Sequence, residues 1–179
     1  MAEVQQAQGL SGIQAMLEQM QSYQQSLVQQ QAAQQEAAQQ QAQADAQVAG
    51  TFGALIEAAT IVAMADGQFS NAESRRLVAR VAPLTGGRLS AEQIEALAQE
   101  AAGRIQAEGA SARADAVAAM LEDDLRRAAL LVAGAVGWTE GGIGQKEGLA
   151  LQSLSRAFGI KIEDMHKLLA QAHAGGGAA

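Results

Sequence analysis

The sequence predicts an all-α protein: a compact helical bundle carrying a long N-terminal helix. Three observations point there. Alanine, glutamine, leucine and glutamate dominate a 179-residue chain with a single proline, and all four favour helices. Valine and isoleucine occur singly along helical faces, not in the short alternating runs a sheet needs. Helix-start and helix-stop signals then recur along the chain. Aromatic residues are scarce and much of the apolar content is alanine, so closely packed helices with small side chains are expected.

Residues 1–48 form a zone of their own. Leu10, Ile13, Leu17, Met20, Leu27 and Val28 recur at three- and four-residue spacing, with Gln24 interrupting the series. This is an amphipathic stripe of under three heptads, and Tyr23 and Met16 fit the same packing surface. Residues 29–47 are glutamine and alanine apart from Glu36 and Asp45. They make a plausible long helix with no apolar face to hold it down. The zone therefore reads either as a partly helical solvated tail or as a docking or self-association helix on a Gln/Ala stalk. In the second reading Leu10, Ile13, Leu17, Met20 and Leu27 bind a protein partner or another copy; glutamine-driven assembly is a third alternative.

Gly50 is the expected boundary. A helix starting there or at Thr51 runs to about Ala65, with Phe52, Leu55, Ile56, Ala59 and Val62 on one face. After the turn Asp66-Gly67-Gln68-Phe69, the next helix opens at Ser70-Asn71-Ala72-Glu73, which has the form of a capping box. It ends near Pro83 and Gly86-Gly87. Ser90, again as Ser-x-x-Gln, starts a helix carrying Ile94, Leu97, Ala98, Ala101 and Ile105 to about Glu108. Residues 112–121 and 124–136 form two helices or one kinked helix. Glu122-Asp123-Asp124 at their junction suits an N-cap with favourable dipole charge, or a wider acidic face. A turn over residues 140–144 follows, then helices over 145–158 and 162–173. Residues 175–179 read as a flexible Gly/Ala tail.

The chain repeats a pattern. Asp66-Gly67-Gln68-Phe69-Ser70-Asn71-Ala72-Glu73 aligns without a gap on Glu140-Gly141-Gly142-Ile143-Gly144-Gln145-Lys146-Glu147, at an offset of 74 residues. Each copy has an acid, a glycine, an apolar residue two further on and a glutamate seven after the acid. Glycine sharpens the turn by admitting positive φ, so the acid falls close to the next helix's first turn, where the glutamate sits. Asp66, Glu73, Glu140 and Glu147 are thus the candidate metal ligands. All-oxygen donors suit a hard divalent cation, Ca²⁺ or Mg²⁺ before Zn²⁺. The competing reading is structural. Glu73 at the third helical position caps the backbone of Ser70, worth about 0.5–2 kcal/mol, and Glu147 fits the same role with Gly144 as a weaker N-cap. The alternating acids of an EF-hand are missing.

Other function classes find little support. The net charge is −7 and no Lys or Arg precedes Arg75, whereas a nucleic-acid binder needs a basic stripe to neutralise phosphates. With no cysteine, disulfides and thiolate sites are excluded, which fits a cytoplasmic protein. No basic n-region with an apolar h-region marks a signal peptide. No uninterrupted apolar run reaches the roughly 18 residues of a bilayer span; the longest, residues 128–136, reads as a core helix. His166 and His173 lack an i, i+4 partner for zinc, and Trp138 reads as a core plug before a ligand platform. No nucleophile motif or phosphate-binding loop is present, so neither an enzyme nor an organic cofactor is expected.

The pattern of an apolar run, Ala-Asp-Gly-x-apolar-Ser-x-x-Glu and an amphipathic helix is carried by residues 61–73. Its second copy closes with Leu151, Leu154, Phe158-Gly159-Ile160 and Glu163-Asp164-Met165. Together they resemble the TerB-like family of bacterial tellurite-resistance proteins, over residues 50–174. The resemblance implies a bundle of about seven helices in two pseudo-repeated helix-turn-helix halves. It also implies divalent-cation binding at the acidic turns, which carry over as Asp66, Glu73, Glu140 and Glu147, and a non-enzymatic role in stress response. The second copy departs from the pattern: Glu140 replaces Asp, Gly144 replaces the capping Ser, and three glycines loosen the turn.

Overall fold

The computed structural model describes residues 2–139 and 142–176. Seven helices are present among them: α1 (Ala2–Ala63), α2 (Asn71–Val81), α3 (Ala91–Glu108), α4 (Ala110–Met120), α5 (Asp123–Gly137), α6 (Gln145–Ala157) and α7 (Ile162–Gly176). A short 3₁₀ turn over Ala82–Thr85 follows α2. Two two-residue strands, β1 (Trp138–Thr139) and β2 (Gly142–Ile143), pair antiparallel between α5 and α6. The fold is all-α, with helix α1 far longer than the rest.

The chain divides into two compact units at Gln47/Val48. In the first, α1 is solvent-exposed at every residue whose side chain is described. Local bonds support it: Ser22 and Ser26 hydroxyls donate to the carbonyls of Gln19 and Tyr23, and Gln41 Nε2 donates to Asp45 Oδ1 at 3.0 Å, one turn on.

The second unit is the bundle. Gly50 does not break α1, and Gly53 does not either. A glycine inside a helix costs about 1 kcal/mol relative to alanine, which strong helix formers on one side and core packing on the other outweigh. Leaving Gly67 aside, the end of α1 is fixed by its own turn. Amides of Met64, Ala65 and Gly67 donate to the carbonyls of Thr60, Val62 and Met64. Gly67 then takes φ +93°, and Asp66 Oδ1 accepts from Gln68 N–H at 3.0 Å. Ser70 caps α2 and Ser90 caps α3, each through a complete reciprocal box with Glu73 and Gln93. Residues 110–137 resolve into two helices, separated at Leu121-Glu122, where the backbone is extended. Helix α7 runs through Gly175 to Gly176, past the expected start of the tail.

Two apolar clusters make the core. Ala58, Ile61 and Val62 of α1 pack with Val117, Leu130, Ala133, Leu151, Leu154 and Met165 from α4 to α7. Ile56 and Ala59 of the same helix pack with Leu77, Val81, Ile94, Ala98 and Val136. Phe69, in the first turn, touches both clusters. The repeat is built into this core. Ile56, Ala59, Val62 and Leu77 are buried, as are Leu130, Ala133, Val136 and Leu151, their counterparts 74 residues on. The end of α1 with α2 and α3 thus repeats as α5 with α6 and α7.

One helical stretch, Glu18–Ala63, is long and apolar enough to cross a membrane by length and composition alone. The segment is not an uninterrupted apolar run, because Gly50, Thr51, Gly53, Glu57 and Thr60 divide it. Its apolar end is the segment that forms the bundle core: Ala54, Ile56, Ala58, Ala59, Ile61 and Val62 are all buried there.

Candidate functional site

The helices after the two turns start with the same local geometry from different residues. Ser70 and Gly144 both take extended backbone, φ −80°, ψ 161° and φ −66°, ψ 166°, and each is the N-cap of the helix that follows. Glu73 and Glu147 therefore occupy the same third position of α2 and α6. Glu73 Oε2 accepts from Ser70 N–H at 2.6 Å, while Ser70 Oγ accepts from Glu73 N–H at 3.2 Å. The Glu147 carboxylate folds back over its own cap: a β-carbon built at Gly144 would overlap it. Glycine there supplies the room that the carboxylate occupies.

Glu73 and Glu147 line one small cavity of about 20 Å³, together with Val62, Ala63, Arg76, Val136 and Gly137. Six of these seven residues are three repeat-related pairs: Val62 with Val136, Ala63 with Gly137, and Glu73 with Glu147. Such a lining is what an approximate two-fold relation between the halves produces where α1 and α5 meet. The meeting is close, since a β-carbon at Gly137 would lie 2.8 Å from Val62 Cγ1. The seventh residue breaks the symmetry. Arg76 has Ala150 as its counterpart, so one guanidinium borders a site with two carboxylates. A cavity of this size holds about one water-sized particle.

Asp66 is not among the residues lining this cavity. It is exposed, and one of its oxygens is engaged in its own turn by Gln68. Glu140 lies outside the described residues. Among the described residues no group of three or more His, Cys, Asp or Glu side chains is placed to hold a metal ion. Among the described residues, Glu73 and Glu147 are the candidates that line this cavity together. Two carboxylates offer at most four oxygens, one of them already accepting a backbone hydrogen bond. A Ca²⁺ or Mg²⁺ ion there would complete its six or more ligands with water.

The second turn has a feature the sequence did not announce. Trp138 pairs with Ile143, and Thr139 with Gly142, which takes φ +95°. The half-buried Trp138 indole stacks on His173 of α7 with ring centroids 4.3 Å apart and planes 18° from parallel. The ring thus clamps the turn to the last helix.

A charged network elsewhere in the bundle also went unread. Glu57 of α1 is 3% exposed. Its carboxylate accepts from Arg113 Nε of α4 at 2.6 Å and from an Arg104 guanidinium nitrogen of α3 at 3.0 Å. Arg113 also bonds Glu108 at 3.0 Å. The hydrogen bonds Arg113 donates to Glu57 first, then to Glu108, hold its guanidinium above its ordinary pKa. The available signal was a lone acid inside the apolar run 52–64, with Ile61 where an i+4 basic partner would stand.

A larger concavity of about 440 Å³ lies over the α6–α7 connection, lined by Asp123, Arg127, Phe158, Lys161, Asp164 and Lys167 among others. Its charges are partly paired, with Lys167 3.3 Å from Asp164. The acidic junction behaves as a helix start: Asp123 and Asp124 lie in the first turn of α5, and Arg126 bonds Asp123 at 3.1 Å and the Ala118 carbonyl at 3.0 Å.

In the first unit, Met16, Met20, Tyr23, Leu27 and Val28 are 67, 53, 65, 40 and 65% exposed. The side chains of Leu10, Ile13 and Leu17 lie outside the described residues. No protein-family model, curated protein or solved structure matches the chain.

Proposed function

We propose that this is a non-enzymatic, TerB-like bacterial protein of the tellurite- or stress-resistance type, acting in the cytoplasm, whose paired acidic turns take up a divalent cation. The observation that supports this is the convergence of Glu73 and Glu147, with two further repeat-related pairs, on one water-sized cavity. A cation there offsets the repulsion of two carboxylates and ties α2 to α6, stabilising one arrangement of the halves. Arg76 is the competitor: its charge meets part of the same need, so a cation binds against it and Arg76→Ala should strengthen the cation's effect.

The test is thermal unfolding of metal-free protein in chelator, then with Mg²⁺, Ca²⁺, Mn²⁺ or Zn²⁺. A ligand that binds only the folded state raises the melting temperature in a concentration-dependent way. Glu73→Gln with Glu147→Gln should remove that rise. Glutamine keeps the cap, since Gln93 already fills the same place in the Ser90 box. A rise that persists in the double variant would place the cation elsewhere.

A second reading is favoured by the exposed apolar stripe on α1: an assembly or adaptor protein that docks through residues 10–28. It predicts that removing residues 1–48 abolishes function while the bundle still folds and still answers to the cation.

A further inference from the structure

The concavity over the α6–α7 connection, about 440 Å³, falls within the range of about 300–1,000 Å³ usual for small-molecule clefts. Three elements wall it: the start of α5 with Asp123 and Arg127, the connection Phe158-Gly159-Ile160, and Lys161 with α7. These walls are braced. Gly159 reverses the chain at φ +69°, and its amide and that of Ile160 donate to the carbonyls of Arg156 and Ser155. The buried Ser155 hydroxyl donates back to the Ile160 carbonyl at 2.8 Å. Helices α5 and α7 approach closely at Gly134, where a β-carbon would overlap the Leu169 side chain. A cleft held in this way keeps its shape without a ligand, which lowers the cost of binding.

Charge selects the occupant. The chain is acidic overall, with 12 Lys and Arg against 19 Asp and Glu, yet three of those cations, Arg127, Lys161 and Lys167, line this one concavity. The carboxylates beside them are already engaged: Asp123 with Arg126 at 3.1 Å and Asp164 with Lys167 at 3.3 Å. Arg127 and Lys161 are exposed, and among the described residues neither side chain makes an ion pair or hydrogen bond. Two uncommitted positive charges match one dianion. A phosphate monoester carries a charge of about −1.5 to −2 at pH 7 and three acceptor oxygens. Those oxygens suit the planar fork of an arginine together with a lysine point charge. A monocarboxylate leaves one of the two cations uncompensated.

The rest of the lining sets the body of the ligand. Buried Phe158 and half-buried Ile160 and Leu168 contribute hydrocarbon to the same concavity, a surface that an apolar group can cover. We propose that this concavity binds a small phosphate monoester with an apolar body, its phosphate held by Arg127 and Lys161. The site shares no residue with the Glu73/Glu147 cavity, so it stands or falls apart from the cation reading.

The experiment is calorimetric titration of the metal-free full chain with phenyl phosphate, phenylacetate and inorganic phosphate. Phenyl phosphate should bind saturably and at least tenfold more tightly than either of the others: phenylacetate lacks the second charge, and inorganic phosphate lacks the ring. This comparison needs no variant. Arg127→Ala with Lys161→Ala should then weaken phenyl phosphate binding at least tenfold while keeping the thermal transition, since both side chains are exposed. Arg80→Ala with Arg88→Ala removes the same net charge from exposed positions outside the concavity, and should leave the affinity unchanged. No saturable heat with phenyl phosphate at millimolar concentration would overturn the proposal. So would phenylacetate or inorganic phosphate binding as tightly, an affinity unchanged in the Arg127/Lys161 variant, or an equal loss in the Arg80/Arg88 variant.

Discussion

Glu57 is the one buried carboxylate among the described residues, and its two arginines come from α3 and α4. Removing one partner of a buried ion pair strands the others without compensation, which typically costs about 3–5 kcal/mol. Glu57→Gln should therefore lower unfolding free energy by about that amount in urea titration. A loss well under about 1 kcal/mol would mean that water already solvates the arginines. Gly137 is a second residue whose size matters. Gly137→Ala places a methyl 2.8 Å from Val62 Cγ1 and 3.6 Å from Glu147 Cβ. Overpacking of this kind costs about 1–3 kcal/mol, and the same substitution should weaken any cation effect on the melting temperature. None of this was legible from local pattern. Glu57 needs partners 47 and 56 residues away, and Arg76 looks like any charge on a helix surface until α5 and α6 are placed beside it.

At the scale of single elements the sequence was far more readable, because capping chemistry is local. Ser70-x-x-Glu73 and Ser90-x-x-Gln93 close the reciprocal bonds that their spacing predicts. Ser70→Ala should cost about 1 kcal/mol in thermal or urea unfolding, and Glu73→Gln much less, since either side chain accepts the cap bond. Gly50 was misleading for the opposite reason: a single glycine is a weak stop when its neighbours favour helix. The pairing of β1 with β2 was invisible, being two residues long and held by tertiary contact. Its clamp can be checked optically. His173→Ala removes the ring stacked on Trp138, the only tryptophan of the chain. Its emission should shift to longer wavelength as water replaces the imidazole, with the core transition unchanged.

For the whole molecule, the repeat explains both the architecture and the candidate site. A chain that duplicates helix–turn–helix with buried residues at matching positions builds two halves related by an approximate two-fold. Residues near that axis then meet their own counterparts. The 74-residue offset was plain in the sequence, and so was the correspondence of Glu73 with Glu147 within a set of four candidate carboxylates. That Asp66 stays outside the cavity Glu73 and Glu147 line was not, because that depends on where the turn points once the helices are packed. The division at Gln47/Val48 predicts that a chain starting at residue 48 unfolds cooperatively by itself, with the same cation response as the full chain.

The central claim is that Glu73 and Glu147 jointly hold a divalent cation. Calorimetric titration of metal-free protein with Ca²⁺, Mg²⁺, Mn²⁺ and Zn²⁺, beside the Glu73→Gln/Glu147→Gln variant, tests it most directly. Saturable binding near one ion per chain, lost in the variant while its caps and fold remain, is the predicted result. No heat of binding at millimolar metal would contradict it and leave both glutamates as helix caps.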